Sequence, residues 1–396
     1  MRRVLIAWEI GGNLGHLGRL LPIATELVAR GYSVSFAVPE GARSANWLRE
    51  RAWSVVEIPR GPITSYNDRA ASWHGDWFLQ SGFGDVAATV DRLKRWTTLM
   101  LELKPDLVLL DYAPFVTYAS HALSIDYFVL GTGFCVPSQF DKPTYFRPWD
   151  KEACTLADLR QQTLNEKFVQ LRRMFSAKCA QNFSELFAAS HVKMCTYAEL
   201  DHFPNRRYLP EYLGATWSDF GADQSIKFST ISRQKALCYV NGEEGSYLAT
   251  IQALLKLNLE VIAIAPKMTK DSMLRLSDPR LTVTSNPINL KLLVEQSDVL
   301  ISHGGLGFVA RGLVLKKKIF LLPLYAEQLI LSRRLIDQGL AGATLEFNNS
   351  ATLSRRIRNL LDEQPIEAGV SKVPKLAQFK STAAVASLIV ENLIAQ

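Results

Sequence analysis

No stretch of this chain approaches the ~20 uncharged apolar residues that a membrane-spanning helix needs. The sequence is also poor in histidine, with six in 396 residues, and has five cysteines. Cys135, Cys154, Cys179, Cys195 and Cys238 are odd in number and scattered, with no metal-ligand spacing. That excludes a zinc module or a disulfide framework and predicts reduced core thiols in a cytoplasmic protein. At the N-terminus Arg2 and Arg3 precede an apolar run of only five residues, 4–8, and Glu9 follows at once, so no signal-peptide core is expected there. Long basic runs are missing too. The net charge of +7 is spread over separated doublets, and the longest run, Lys316 to Lys318, has no interleaved aromatics. Nucleic acid is therefore not an expected partner. The charge suits a phosphorylated ligand and leaves peripheral membrane association open.

What is present is an alternation of strand and helix patterns. Residues 4–8 form an apolar run of strand length, 9–18 carry four glycines, 20–30 have a helical period closed by Gly31, and 34–38 form the next strand. Strand patterns follow at 53–58, 105–111, 125–131 and 192–197, with helices predicted at 86–103 and 115–123 and one or two within 151–189. Residues 201–234, rich in Pro, Gly, Ser, Asp and Arg, read as a linker. The alternation then restarts, with strands at 236–240, 260–264, 281–284 and 299–301 and helices at 245–257 and 290–295. The pattern predicts two doubly wound α/β domains in series, with ligands at the carboxyl ends of the strands.

Two strand ends carry the chemistry. In SHGGLG, His303, Gly304, Gly305 and Gly307 lie between a strand and a helix, where close-approaching backbone amides and the helix dipole favour a diphosphate. In EIGGNLGHLG, the glycines at 11, 12, 15 and 18 do not fit the dinucleotide spacing G-x-G-x-x-G, although Glu40 at the second strand end keeps a dinucleotide-dependent oxidoreductase open. His16 is not explained by that motif.

The segment GHLGRLLPIATELVARGYSVSFAVPE resembles the N-terminal signature of GT-B glycosyltransferases of the UDP-glycosyltransferase-like superfamily. SHGGLGFVARGLVLKKKIFLLPLYAEQ resembles their donor-binding motif. The resemblance implies a GT-B fold, two Rossmann-like doubly wound parallel-sheet domains facing across a cleft. Residues 1–215 would bind the acceptor and 216–372 the nucleotide-sugar donor, with a C-terminal helix in 373–396 packing back on the first domain. It implies an inverting, metal-independent transfer of a sugar from a nucleotide diphosphate of UDP or dTDP type to a small-molecule, lipid or glycan acceptor, with no cofactor and no metal. In that scheme His16 is the general base, oriented by Asp111. The donor is held by Asn241, Gly242, His303, Gly304, Gly305, Gly307, Arg311, Glu327 and Gln328. The acceptor meets Gly12, Trp73, Trp77, Phe78 and Phe134, although these aromatics read equally well as a locally buried loop core. Phe308 and Arg311 depart from the family's usual Thr or Ser and Glu. Other readings are a GT-B epimerase or hydrolase acting on a sugar nucleotide, and a non-catalytic GT-B-like binding protein.

Overall fold

The structure, a computed structural model, describes the chain except residues 10–14, 59–70, 140, 189–190, 209, 219–225, 230–233, 242–243, 287, 347, 363–380 and 396. It divides into two compact units, Met1–Thr216 with Ala383–Gln396, and Trp217–Thr382.

Unit 1 is built on six parallel strands: β1 (Arg3–Trp8), β2 (Ser33–Pro39), β3 (Ser54–Ile58), β4 (Leu107–Asp111), β5 (Tyr127–Gly131) and β6 (Val192–Met194), in the order β3-β2-β1-β4-β5-β6. The central strands β1, β4 and β5 are buried almost end to end, which is why they read in sequence as unbroken apolar runs rather than as alternation. The order reverses between β1 and β4, where Trp8 pairs in register with Asp111. Helix Gly15–Ala29 returns the chain from β1 to β2, and Gly31 ends that return at φ +85°. Helices Val86–Leu103, Pro114–Leu123 and Lys151–Met174 complete the frame, two of them opened by aspartate caps at Asp85 and Asp150.

The expected linker is only partly one. Asp201 and His202 are buried in unit 1, and Asp201 forms an ion pair with Arg206 at 2.6 Å. Arg206 also donates to the carbonyls of Gly133, Val136 and Pro137, and the Tyr212 hydroxyl donates to Asp201. A polar, Pro-rich stretch reads as exposed loop; here Asp201, Arg206 and Tyr212 satisfy one another, so irregular backbone can be buried, while the two ring nitrogens of His202 have no partner among the described residues.

The C-terminal helix Thr382–Ile394 lies on unit 1, burying Val385, Ala386, Ile389, Val390 and Leu393. Arg30, at the end of the first helix, donates to Ser387 at 2.7 Å and pairs with Glu391 at 3.1 Å.

Unit 2 repeats the topology. Strands β7 (Lys235–Tyr239), β8 (Glu260–Ile264), β9 (Leu281–Thr284), β10 (Val299–Ser302), β11 (Lys318–Leu321) and β12 (Gly342–Ala343) are parallel in the order β12-β11-β10-β7-β8-β9. Its reversal point lies between β7 and β10. Helices Lys270–Arg275 and Ser350–Asp362, not anticipated from sequence, belong to this unit. Among the described residues, no helix is long and apolar enough to cross a membrane.

Candidate functional site

In unit 1 the reversal point carries a three-residue arrangement. His16 is the second residue of helix Gly15–Ala29, and Asp111 ends β4. Their side chains meet, His16 Nδ1 to Asp111 Oδ2, at 2.9 Å, with the carboxylate fully buried and the His16 side chain 26 % exposed. Arg19, one turn further along the same helix, reaches the same Oδ2 atom with its Nη2. Burial alone would raise the Asp111 pKa. The charges of Arg19 and His16 and their hydrogen bonds outweigh it and hold the group down to about 2. An ionised carboxylate only accepts, so His16 Nδ1 carries the proton and Nε2 is left with its lone pair. The imidazole is further held by the stacked ring of Trp8, 5.3 Å between centroids, and by the edge of Tyr112 at the same distance.

The backbone around this group is tied down. Tyr112 turns the chain out of β4 at φ +49°. Its carbonyl accepts the Glu9 N–H at 3.2 Å, and the Glu9 carboxylate accepts the Phe115 N–H at 2.8 Å. Glu9 is half-buried as a residue, but its carboxyl is enclosed, and Oε1 has no partner among the described residues. Burial pushes that carboxyl up to about 7 against the opposing pull of Arg92 and of its hydrogen bonds. A small cavity beside Asp111 is lined by Trp77, Phe78, Tyr112, Pro114 and Cys135 among others.

The aromatics expected to contact an acceptor lie elsewhere. Trp73 and Phe134 are 1 % exposed and packed in the interior, Trp73 against Phe183 and Phe134 against Phe146. Phe78 also belongs to the core. Trp73 and Phe134 are interior residues, whereas Phe78 packs in the core and also lines the cavity beside Asp111. Trp77 is buried too, yet it packs on Tyr112 at 4.9 Å and lines the cavity beside Asp111. His74 Nε2–H donates to the Phe134 carbonyl at 2.6 Å, and burial lowers its pKa to about 3, as for a core histidine. Gly12 lies outside the described residues.

In unit 2 the reversal point gathers Asn241, His303, Gly304 and Gln328. His303 follows β10, and its ring bridges the strand ends. Nδ1–H donates to the Leu322 carbonyl beyond β11 at 2.7 Å, and Nε2 accepts the Asn241 N–H beyond β7 at 2.7 Å. A carbonyl can only accept and an amide N–H can only donate, so this fixes a neutral tautomer. Burial lowers the His303 pKa in the same sense. Both ring nitrogens are therefore engaged by the strand ends. Gly304 adopts φ +99° with Gln328 and Ser332 beside it, a conformation that L side chains rarely take.

Helix Leu306–Val314 opens at Gly305 without a side-chain cap; the Phe308 N–H donates to the Gly305 carbonyl at 3.1 Å, and the Leu306 and Gly307 amides before it lack an intrahelical acceptor. Gly305 is exposed and Gly307 half-buried there, whereas Arg311 is buried further along the helix. Glu327 and Gln328 lie in the first turn of helix Ala326–Asp337, and Gln328 Oε1 accepts the Leu324 N–H at 2.8 Å. Gly242 lies outside the described residues. Among the described residues, no three His, Cys, Asp or Glu side chains gather as a metal site would require.

Arg19 is the residue that reading the sequence for chemistry missed. Its signal was present, three residues after His16 on the same helical face.

No family model matches the chain. Among curated proteins, it is 21 % identical over 405 aligned residues to zeaxanthin glucosyltransferase from Pantoea ananas, covering 96 % of this chain and 93 % of that protein. It is 29 % identical over 103 residues to UDP-sugar-dependent glycosyltransferase 52 from Dictyostelium discoideum, a match to 26 % of this chain and only 6 % of that protein. Among solved structures, CalG4, the calicheamicin glycosyltransferase, superposes with a TM-score of 0.73 at 16 % identity, covering 100 % of this chain and 98 % of CalG4. The spinosyn rhamnosyltransferase SpnG, in complex with thymidine diphosphate, gives 0.69 at 15 % identity over the full length of both chains.

Proposed function

We propose, on the premise that the chain has the GT-B fold of these glycosyltransferases, that it moves a sugar from a nucleotide diphosphate to an acceptor hydroxyl or amine with inversion and without metal. The observation that carries this reading is the His16–Asp111 contact at the reversal point of unit 1. His16 Nε2 takes the proton of the attacking acceptor group, and the buried carboxylate stabilises the imidazolium that forms. The acceptor proton moves to the ring, the nucleophile bonds to the anomeric carbon, and the glycosyl–oxygen bond breaks with its electrons going to the diphosphate.

In unit 2 the leaving diphosphate settles on the uncapped amides at the start of helix Leu306–Val314, which supply oriented dipoles in place of a cation. His303 and Gly304 shape that turn. Glu327 and the free amide end of Gln328 face the sugar hydroxyls. The aromatic wall of Trp8, Tyr112 and Trp77 beside the dyad favours an apolar small-molecule or lipid acceptor over a glycan.

The donor is a thymidine-type sugar nucleotide. Arg311 occupies the place where the resembling motif has a Glu for the ribose hydroxyls, and a guanidinium only donates, so a ribose lacking one hydroxyl demands less of this position. The SpnG structure with thymidine diphosphate is consistent with that choice.

Incubation with a panel of UDP-, dTDP- and GDP-sugars and apolar acceptors tests the reading through nucleoside diphosphate release. Release that requires acceptor is expected. Release without any acceptor identifies a hydrolase, and titration showing tighter binding of UDP than of dTDP overturns the donor assignment.

A further inference from the structure

The Asp111 carboxylate is not the private partner of His16. Arg19 Nη2 and His16 Nδ1 converge on one oxygen of that carboxylate, Oδ2, and its other oxygen, Oδ1, is buried with no described partner. The Arg19 side chain is 9 % exposed, so its interaction with the carboxylate is weakly screened by water. The backbone on both sides is fixed. The Arg19 carbonyl accepts the Thr216 hydroxyl at 2.7 Å, and Asp111 is held in the β1–β4 register. Two cysteines also lie near the guanidinium. Cys135 accepts or donates at the Thr132 hydroxyl, and burial pushes the Cys195 thiol up to about 12. Among the described residues, the rings of Trp8 and Tyr112 pack against the His16 ring.

We infer that Arg19 is a positioning residue: by sharing the oxygen that faces His16, it locks the carboxylate in place and offsets part of its negative charge, leaving the imidazole a weaker base than an unshared pair would. An imidazolium formed at His16 is then stabilised by a carboxylate already half-neutralised. Arg19 also keeps Asp111 ionised whether or not His16 is charged, which preserves the Nδ1–H tautomer through a catalytic cycle. This inference rests on the proposed base role of His16, so its test needs one arm that does not depend on turnover.

That arm is carbon NMR of the full-length protein labelled at aspartate carboxyls, with the Asp111 signal identified by its loss in Asp111→Asn. In the unaltered protein Asp111 titrates near the low end of the carboxylate range. Arg19→Gln raises that midpoint by about one unit or more, and Arg19→Lys, which retains the charge, restores most of it. His16→Gln, at a partly exposed position, leaves the midpoint within about half a unit because Arg19 remains. A midpoint that does not move in folded Arg19→Gln overturns the inference. So does one that rises by a full unit in His16→Gln, a result obtainable even if Arg19→Gln does not fold.

The second arm is the pH profile of kcat/KM. Its acid limb moves to higher pH by about one unit in Arg19→Gln, roughly a tenfold loss at pH 6 with little change at pH 8. A shifted Asp111 signal with no detectable transfer at any pH would uphold the electrostatic coupling and refute the glycosyltransferase reading instead. A uniform loss at every pH would assign Arg19 a purely structural part and overturn the inference.

Discussion

Two enclosed carboxyl groups, within one turn of chain from the same pair of strand ends, are driven in opposite directions by what surrounds them. Asp111 is buried beside Arg19 and His16 and is held near 2, below its ordinary value of 3.8. Its contribution to stability is therefore complete above pH ~4 and is lost as pH falls through 2, on the order of 2 kcal/mol by linkage. Thermal unfolding between pH 5 and pH 2 should show that loss in the unaltered chain and much less of it in Asp111→Asn. Glu9 is enclosed with only partial compensation and is raised from 4.5 to about 7. Its sign is reversed: stability is fully present below pH ~4.5 and lost as pH rises through 7. Glu9→Gln should leave the melting temperature nearly unchanged at pH 5 and raise stability at pH 8.5 by on the order of 2 kcal/mol, measured by calorimetry. At His16 the expectation is kinetic. Replacement by Ala removes the proton acceptor and should cost 10²- to 10⁴-fold in kcat while donor affinity, read by titration calorimetry, stays within about twofold. Loss of donor binding with persistent transfer would reverse the assignment of roles.

At the scale of elements, each sheet places its informative residues where the strand order turns back, and the connecting geometry is carried by backbone. Gly304 is the clearest case. A Cβ there would meet its neighbours at ordinary contact distance, 3.6 Å, so the difficulty of Gly304→Ala lies in φ +99° rather than in space. The substitution should destabilise unit 2 by ~1–2 kcal/mol and weaken nucleotide binding more than tenfold by rotating the turn before helix Leu306–Val314. Calorimetric unfolding and nucleotide titration on the same variant would separate the two effects. The strands and their order of succession were legible because parallel strands buried on both faces must be apolar through their centres, as in residues 107–110 and 261–264. His16 and Asp111 were legible as a pair through their motif. Other features were not, for physical reasons. Arg19 looks like any helix-face arginine until β4 brings a carboxylate to it. Trp73 and Phe134 carry no mark that distinguishes core from pocket. His303 has the right neighbours for an anion ligand, but its two ring nitrogens are occupied by Leu322 and Asn241, partners remote in sequence. Helix Ser350–Asp362 was readable from Leu353, Ile357 and Leu360 at spacings of four and three, and was passed over.

The whole molecule is not two beads on a string. The chain leaves unit 1 at Thr216 and comes back to it at Ala383, so all of unit 2 is inserted between two segments of the other. The returning helix Thr382–Ile394 buries five apolar side chains and is pinned by Arg30 through Ser387 and Glu391. At about 1.5–3 kcal/mol for each fully buried side chain, its contribution is comparable to the stability of an entire domain. Truncation after Ser381 should therefore unfold or aggregate unit 1, seen as loss of the corresponding calorimetric transition, whereas Arg30→Ala should lower its melting temperature by only a few degrees.

That return path has a consequence for biosynthesis. A ribosome delivers the chain from its N-terminus, and domains ordinarily mature in the order in which they emerge. Here the segment 1–216 lacks its closing helix until residues 382–394 have been translated, while the inserted portion already has every strand it needs. The earliest-born lobe is the latest to be sealed, and a nascent chain stalled near residue 380 would carry an uncovered apolar face on its oldest part.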